Sequence, residues 1–454
     1  MKKVIQQGET LMRSYLILGM CLLFLIQYFV KVQWLEYIVV GLSILAFLGS
    51  ALKADKFPRW LGIIMMTSGL LIEWNKGTGI EGISEGIFLI LPLLSLITLA
   101  PLLSIPLRLG GYFQSISVLL KNLLAQPKKL YAGITGTLFF LTPILNLGSV
   151  RIINEFLDEL KLPSALSAKG YLVGFSTAVM WSPYFASVSL VLHYLNIPFK
   201  EYIIYGIGLS LLSLVIGNIL FGFWIKRHPL ASEHSVKLKI ETNTRNQLIK
   251  LVFFVIILIG TCLLVESITN WSMIVIVCLV SIVIPLLFGL QSKRWKELIP
   301  PLVDFRDRTV LMLNNEIMLF MSAGMLAFAM KGTTAANGVS HFLTNLAHQS
   351  FLLFALAVMV IVLGITYIGV HQIAAVGALA MQLNAAEIGI SNISLALLLL
   401  LTWSISTALS PFSGLNLMVS RFNGISGFQT GLRFNGLHFT IIAVIGIGII
   451  SIIG

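Results

Sequence analysis

Apolar runs follow one another along the chain with only short polar breaks between them. They occupy 14–30, 34–52, 60–74, 82–107, 164–195, 199–225, 248–265, 271–290, 309–330, 392–419 and 437–453. Most are continuous over about 17 residues or more, the length that crosses a bilayer as a helix. Transmembrane β-strands would show short alternating segments instead. The pattern predicts an all-α polytopic membrane protein with about eleven transmembrane helices. Two further stretches, about 130–161 and 350–383, pair apolar arms around a polar tip and predict re-entrant hairpins.

Two of the long runs are interrupted. "TAVMWSPYF" begins at Thr177 and "TALSPF" at Thr407, each placing Ser-Pro after Thr-Ala. Proline removes a backbone donor and clashes with the preceding turn. An unpaired backbone group costs several kcal/mol in lipid, so such a break is tolerated only against protein or a water-filled cavity. Two breaks in matching context predict discontinuous helices that mark a binding site.

The charged loops set the topology. Lys2, Lys3 and Arg13 place the N-terminus in the cytoplasm, and 14–30 reads as an uncleaved first span. Lys53, Lys56 and Arg59 then fall inside, as do Arg108, Lys121, Lys128 and Lys129, and the loop that opens with Lys226 and Arg227. An even number of crossings must separate Lys129 from Lys226. A hairpin turning near 146–149, followed by two full spans, satisfies this. The second half repeats the logic around "YIGVHQ", and the C-terminus ends outside.

The halves match in order: span, amphipathic stretch, hairpin, broken span, final span. Gly110 to Ser182 and Gly338 to Ser410 are both 72 residues apart. Small gaps align the two broken segments with Ser189 opposite Asn416. The first half begins outside and the second inside, which predicts inverted-topology repeats, a mark of secondary transporters. The expected organisation is 1–81 as N-terminal scaffold helices, 82–225 as repeat 1 with its broken helix at 164–195, 226–308 as a basic loop and two linking helices, and 309–454 as repeat 2 with its broken helix at 392–419.

Composition agrees: 57% of the 454 residues are hydrophobic and 11% charged, against about 25% charged in a soluble domain. The net charge of +12 sits in short loops as an orientation signal, and no soluble basic face exists for nucleic acid. Cys21, Cys262 and Cys278 lie inside apolar runs without metal-ligand spacing and read as packing residues. No phosphate-binding loop and no H-E-x-x-H is present, so no enzyme and no cofactor is expected beyond a coupling Na⁺ or H⁺.

"YIGVHQIAAVGAL" followed by "TALSPFSGLNLMVS" resembles the ion transporter superfamily of secondary carriers. That group includes the divalent anion/sodium symporters, the large membrane subunit of tripartite periplasmic transporters and arsenite-permease-like proteins. The resemblance covers roughly 82–225 and 309–454. It implies that hairpin tips and helix breaks form the substrate and ion sites. The first maps to Asn146, Gly148 and Ser149 with Thr177, Ser182 and Pro183. The second maps to His371 with Thr407, Ser410, Pro411, Ser413 and Asn416. It also implies elevator-like movement and a homodimer.

Among single residues, Arg151 follows the first tip and offers a bidentate clamp for a carboxylate, or a pair with Glu155 on the same helix. His371 has the intrinsic pKa to carry a proton. The expected function is a secondary transporter for a small organic anion, a carboxylate, in the cytoplasmic membrane of a bacterium. A cation/proton antiporter and a membrane subunit dependent on an accessory partner are the alternatives.

Overall fold

The computed structural model describes residues 2–158, 162–229 and 242–454. The end of the first expected hairpin, 159–161, and most of the basic loop, 230–241, lie outside the described residues. In chain order the helices are α1 (Lys2–Val30), α2 (Gln33–Ala51), α3 (Lys56–Asn75), α4 (Gly79–Leu99), α5 (Ser104–Leu109), α6 (Tyr112–Asn122), α7 (Pro127–Leu145) and α8 (Leu147–Leu157). There follow α9 (Ser164–Trp181), α10 (Ala186–Tyr194), α11 (Phe199–Arg227), α12 (Thr242–Thr269), α13 (Met273–Ser292), α14 (Trp295–Asp304) and α15 (Asn314–Met330). The last are α16 (Thr334–Gln349), α17 (Phe351–Tyr367), α18 (Gln372–Gln382), α19 (Ala385–Ile388), α20 (Asn392–Leu409), α21 (Gly414–Asn423) and α22 (Phe434–Ile453). No strand occurs among the described residues.

The chain is a multi-pass helical membrane protein. Among the described residues, ten segments are long and apolar enough to cross a bilayer, one fewer than the sequence suggests. The eleventh expected span, 60–74, lies in α3, a 20-residue helix that carries Lys56, Arg59 and Glu73 and is not among the ten. All three cysteines are buried and free.

Two compact units form from non-contiguous stretches. The first comprises Met1–Pro106, Trp271–Phe342 and Ile373–Leu383. Its centre is α15 against α2, α3 and α4. Glycines set the closest approaches: a Cβ on Gly62 would stand 3.1 Å from the Met318 carbonyl oxygen, and one on Gly69 3.0 Å from the Leu326 nitrogen. Small residues let helix backbones meet in this way where lipid supplies no hydrophobic drive.

The second unit comprises Leu107–Asn270, Leu343–Gln372 and Asn384–Gly454. Here α9 packs on α7, α11, α20, α21 and α22. Gly170 and Gly174, one helical turn apart, face α7, and a Cβ on Gly174 would lie 3.0 Å from the Thr135 Cα. The Ser404 hydroxyl of α20 donates to the Ser176 carbonyl of α9 at 2.8 Å. Both broken segments are wrapped by protein: 94% of the apolar window is buried in each, against 22–67% for the other spans outside the first two. Buried all round, they keep their irregular backbone away from lipid.

The order of elements recurs along the chain. Both α8 and α18 have 11 residues, and both α9 and α20 have 18. The linking helices part company, α12 belonging to the second unit and α13 to the first. The stretch 350–383 divides likewise between Gln372 and Ile373.

Candidate functional site

The first tip is the single residue Asn146 between α7 and α8. Its backbone has φ +51° and ψ −135°, a positive-φ conformation outside the left-handed helical basin and strained for a residue with a side chain. Its N–H still bonds the Thr142 carbonyl, and its own carbonyl accepts from the Ser149 hydroxyl at 2.6 Å. The Thr142 and Ser149 hydroxyls meet at 2.9 Å. Asn146 is exposed, Gly148 half-buried and Ser149 buried. Arg151 is exposed and pairs with Glu155 at 3.0 Å.

The first break runs from Ser182 to Phe185. The Ser182 N–H completes the last turn of α9 by bonding the Ala178 carbonyl, and its hydroxyl accepts from the Tyr184 N–H at 3.2 Å. Proline at Pro183 cannot continue the ladder. Side chains take up the carbonyls left over. Ser187 donates to Val179 at 2.7 Å, Tyr202 to Met180 at 2.6 Å, Ser210 to Thr177 at 2.9 Å and Ser189 to Pro183 at 2.6 Å. Thr177 and Ser182 are fully buried.

The second break, Ser410 to Ser413, has the same build. Its residues adopt the same sequence of conformations as Ser182 to Phe185, which makes the two segments equivalent without gaps. Ser410 therefore answers to Ser182, and Asn416 to Val188 rather than to Ser189 as the gapped alignment suggests. The last four carbonyls of α20 are all taken. The Ser410 N–H bonds Ser406, Ser413 Oγ donates to Thr407 at 2.6 Å, Asn416 Nδ2 to Ala408 at 3.1 Å and Tyr367 OH to Leu409 at 3.1 Å. Ser413 also caps α21, accepting from the Asn416 N–H at 3.0 Å. Ser410 Oγ donates to the Thr366 carbonyl at 2.8 Å, tying the break to the end of α17, five residues before the half-buried His371.

A glycine closes each break from the next helical segment. A Cβ on Gly206 would stand 2.8 Å from the Met180 carbonyl oxygen. One on Gly431 would stand 2.8 Å from that of Ala408 and 2.7 Å from that of Leu409. Met180 and Ala408 are equivalent positions. One further approach links the first tip to the second break: a Cβ on Gly414 would meet Leu147 at 3.4 Å.

All the sequence-predicted site residues thus lie in the second unit. Thr407, Ser410, Ser413 and Asn416 form one bonded cluster, with Pro411 half-buried beside it. Thr177, Ser182 and Pro183 lie at the first break, each bonded to other residues rather than to one another. Arg151 points its charge at Glu155. The sequence reading missed Tyr202, Ser210, Tyr367, Gly206 and Gly431, which come from distant segments and carry no local signal. It also missed Trp181, fully buried at the lip of the first break and stacked on Phe139 at 5.0 Å. Its indole N–H has no partner among the described residues.

Protein-wrapped broken helices beside a helical hairpin define a secondary membrane transporter. The chain belongs to the family of the Tripartite ATP-independent periplasmic transporter, DctM component, whose sequence profile matches residues 176–445. A search of curated proteins by sequence gave no match. Among solved structures, the YdaH transporter of Alcanivorax borkumensis, described as having an unusual topology, is similar with a TM-score of 0.52. That similarity covers 84% of this chain and 88% of that one at 13% identity, which speaks for the fold alone.

Proposed function

We propose that this chain is the membrane component of a secondary transporter that moves a small organic anion, a carboxylate, across the cytoplasmic membrane, driven by Na⁺ or H⁺. The observation that carries the reading is an asymmetry at the breaks. Protein hydroxyls and amides occupy almost all the carbonyl ends, whereas α8 and α10, at the first tip and first break, start without a side-chain cap; at the second break Ser413 caps α21. Open helix N-termini favour negative charge. Filled carbonyls leave little to hold a bare cation, which weighs against a cation/proton antiporter.

The recurring elements support inverted repeats, and the hairpin and breaks support elevator-type alternating access. The family's tripartite character supports an accessory partner for this chain. The test is uptake of labelled carboxylates into proteoliposomes, with Na⁺ and H⁺ gradients imposed separately, by the chain alone and with its partners. Gradient-driven uptake is expected. If no carboxylate moves under either condition while internal pH responds to imposed Na⁺, the chain is an antiporter.

A further inference from the structure

A cavity of about 480 Å³ in the second unit lies away from both breaks, bounded by α7, α9, α11 and the start of α22. Among the described residues, none of those lining it is acidic. Lys169 reaches it from the second turn of α9. Its ammonium donates to the Phe434 carbonyl and lies 5.7 Å from the centre of the Trp224 ring. No carboxylate pairs with Lys169 among the described residues. Opposite stands His438, 5% exposed, whose Nε2 meets the Ser213 hydroxyl at 3.2 Å and whose Nδ1 has no partner. Lys226 and Arg227 close one end.

Lys169 is half-buried, and a positive charge drawn partly out of water without a counter-ion is costly unless something supplies the missing charge. An anion is the complement. The walls decide what kind. Phe223 and Leu437, which line the cavity, are 61% and 68% exposed on the apolar surface, so the lining includes lipid-facing hydrophobic groups as well as the cations. A water-soluble anion needs no such wall. A ligand with a charged head and hydrocarbon tails matches both parts. Lys226 and Arg227 also offset the negative end of α11, so Lys169 and the Nδ1 of His438 carry most of the specificity.

We propose that this cavity is a binding site for an acidic phospholipid, its phosphate between Lys169 and His438 and its acyl chains along Phe223 and Leu437. The site is separate from the breaks and stands whether or not the substrate is a carboxylate.

The full chain, reconstituted in phosphatidylcholine, is titrated with brominated phosphatidylglycerol or brominated phosphatidylcholine. The reading is the part of the tryptophan quenching that Trp224→Phe removes. The acidic lipid is expected to quench at a mole fraction at least tenfold lower. Lys169→Met removes that preference, and the paired change Lys226→Gln with Arg227→Gln lowers it severalfold. The paired change lies at exposed positions and decides the matter if Lys169→Met does not fold. Equal quenching by both lipids overturns the proposal, as does a preference that survives Lys169→Met. Full displacement by millimolar glycerol 3-phosphate or citrate would make this a site for soluble anions and overturn it equally.

Discussion

Replacing Gly431 with alanine tests the account of the second break most directly. The new methyl would stand 2.6 Å from the Asn416 amide nitrogen, 2.7 Å from the Leu409 oxygen and 2.8 Å from the Ala408 oxygen. Two of these atoms are backbone and cannot swing away. Overpacking of this kind costs about 1–3 kcal/mol. Moving the Asn416 amide off the Ala408 carbonyl leaves a buried pair unsatisfied, about 1–3 kcal/mol more. The expected destabilisation is about 2–6 kcal/mol. Alanine for Gly448, in the next helix, meets nothing within 4 Å and should be neutral or stabilising by up to about 1 kcal/mol. Thermal unfolding in detergent compares the two, with uptake measured alongside. If Gly431→Ala unfolds with wild type and Gly448→Ala, the break is not braced by this contact and the reasoning fails.

Asn146→Gly suits the positive-φ backbone, so folding should hold while any contact made by the side chain is lost; Asn146→Val should cost about 1–3 kcal/mol in stability. A wild-type melting temperature for the valine variant would contradict the strain. The Glu266 carboxylate accepts from the Phe199 and Lys200 N–H groups at 2.7 and 2.9 Å, capping α11. Glu266→Ala should destabilise by about 1–3 kcal/mol and speed hydrogen exchange at the first turn of α11. Arg151→Gln removes an exposed pair worth less than about 1 kcal/mol. Unchanged melting with a raised KM for uptake would make Arg151 a substrate contact, and an unchanged KM would leave it a surface pair. Ser413→Ala loses both a cap and a carbonyl partner, and should cost more stability than Ser189→Ala, which loses one bond.

Much of this was legible in the sequence because it follows from local chemistry. Apolar length gave the helices, proline gave the breaks, and the equal 72-residue spacings anticipated a correspondence without gaps. The gapped alignment erred by matching Ser189 to Asn416 by residue type, whereas backbone geometry sets the equivalence and lets different side chains do one job. Ser187 and Asn416, one position apart in that correspondence, each bond a carbonyl eight residues back. The hydroxyls of Tyr202 and Tyr367, and the contacts of Gly206 and Gly431, depend on packing between segments far apart in the chain. No periodicity encodes them. The charged groups of α3 were visible but were outweighed by its apolar centre.

Most bonds that shape the second break are closed by nearby residues: Ser413 returns to Thr407, Asn416 to Ala408, and Ser410 to the turn that follows it. A membrane protein is built one segment at a time, before its later helices exist to receive it. A break that satisfies most of its own polar groups within about a dozen residues enters the bilayer already neutralised, and need not wait for a partner. The same short-range closure should let it travel as a rigid piece when its surroundings rearrange. The first break, which borrows Tyr202 and Ser210 from α11, matures only once that helix has arrived, so the two halves of the protein reach their final form by different schedules.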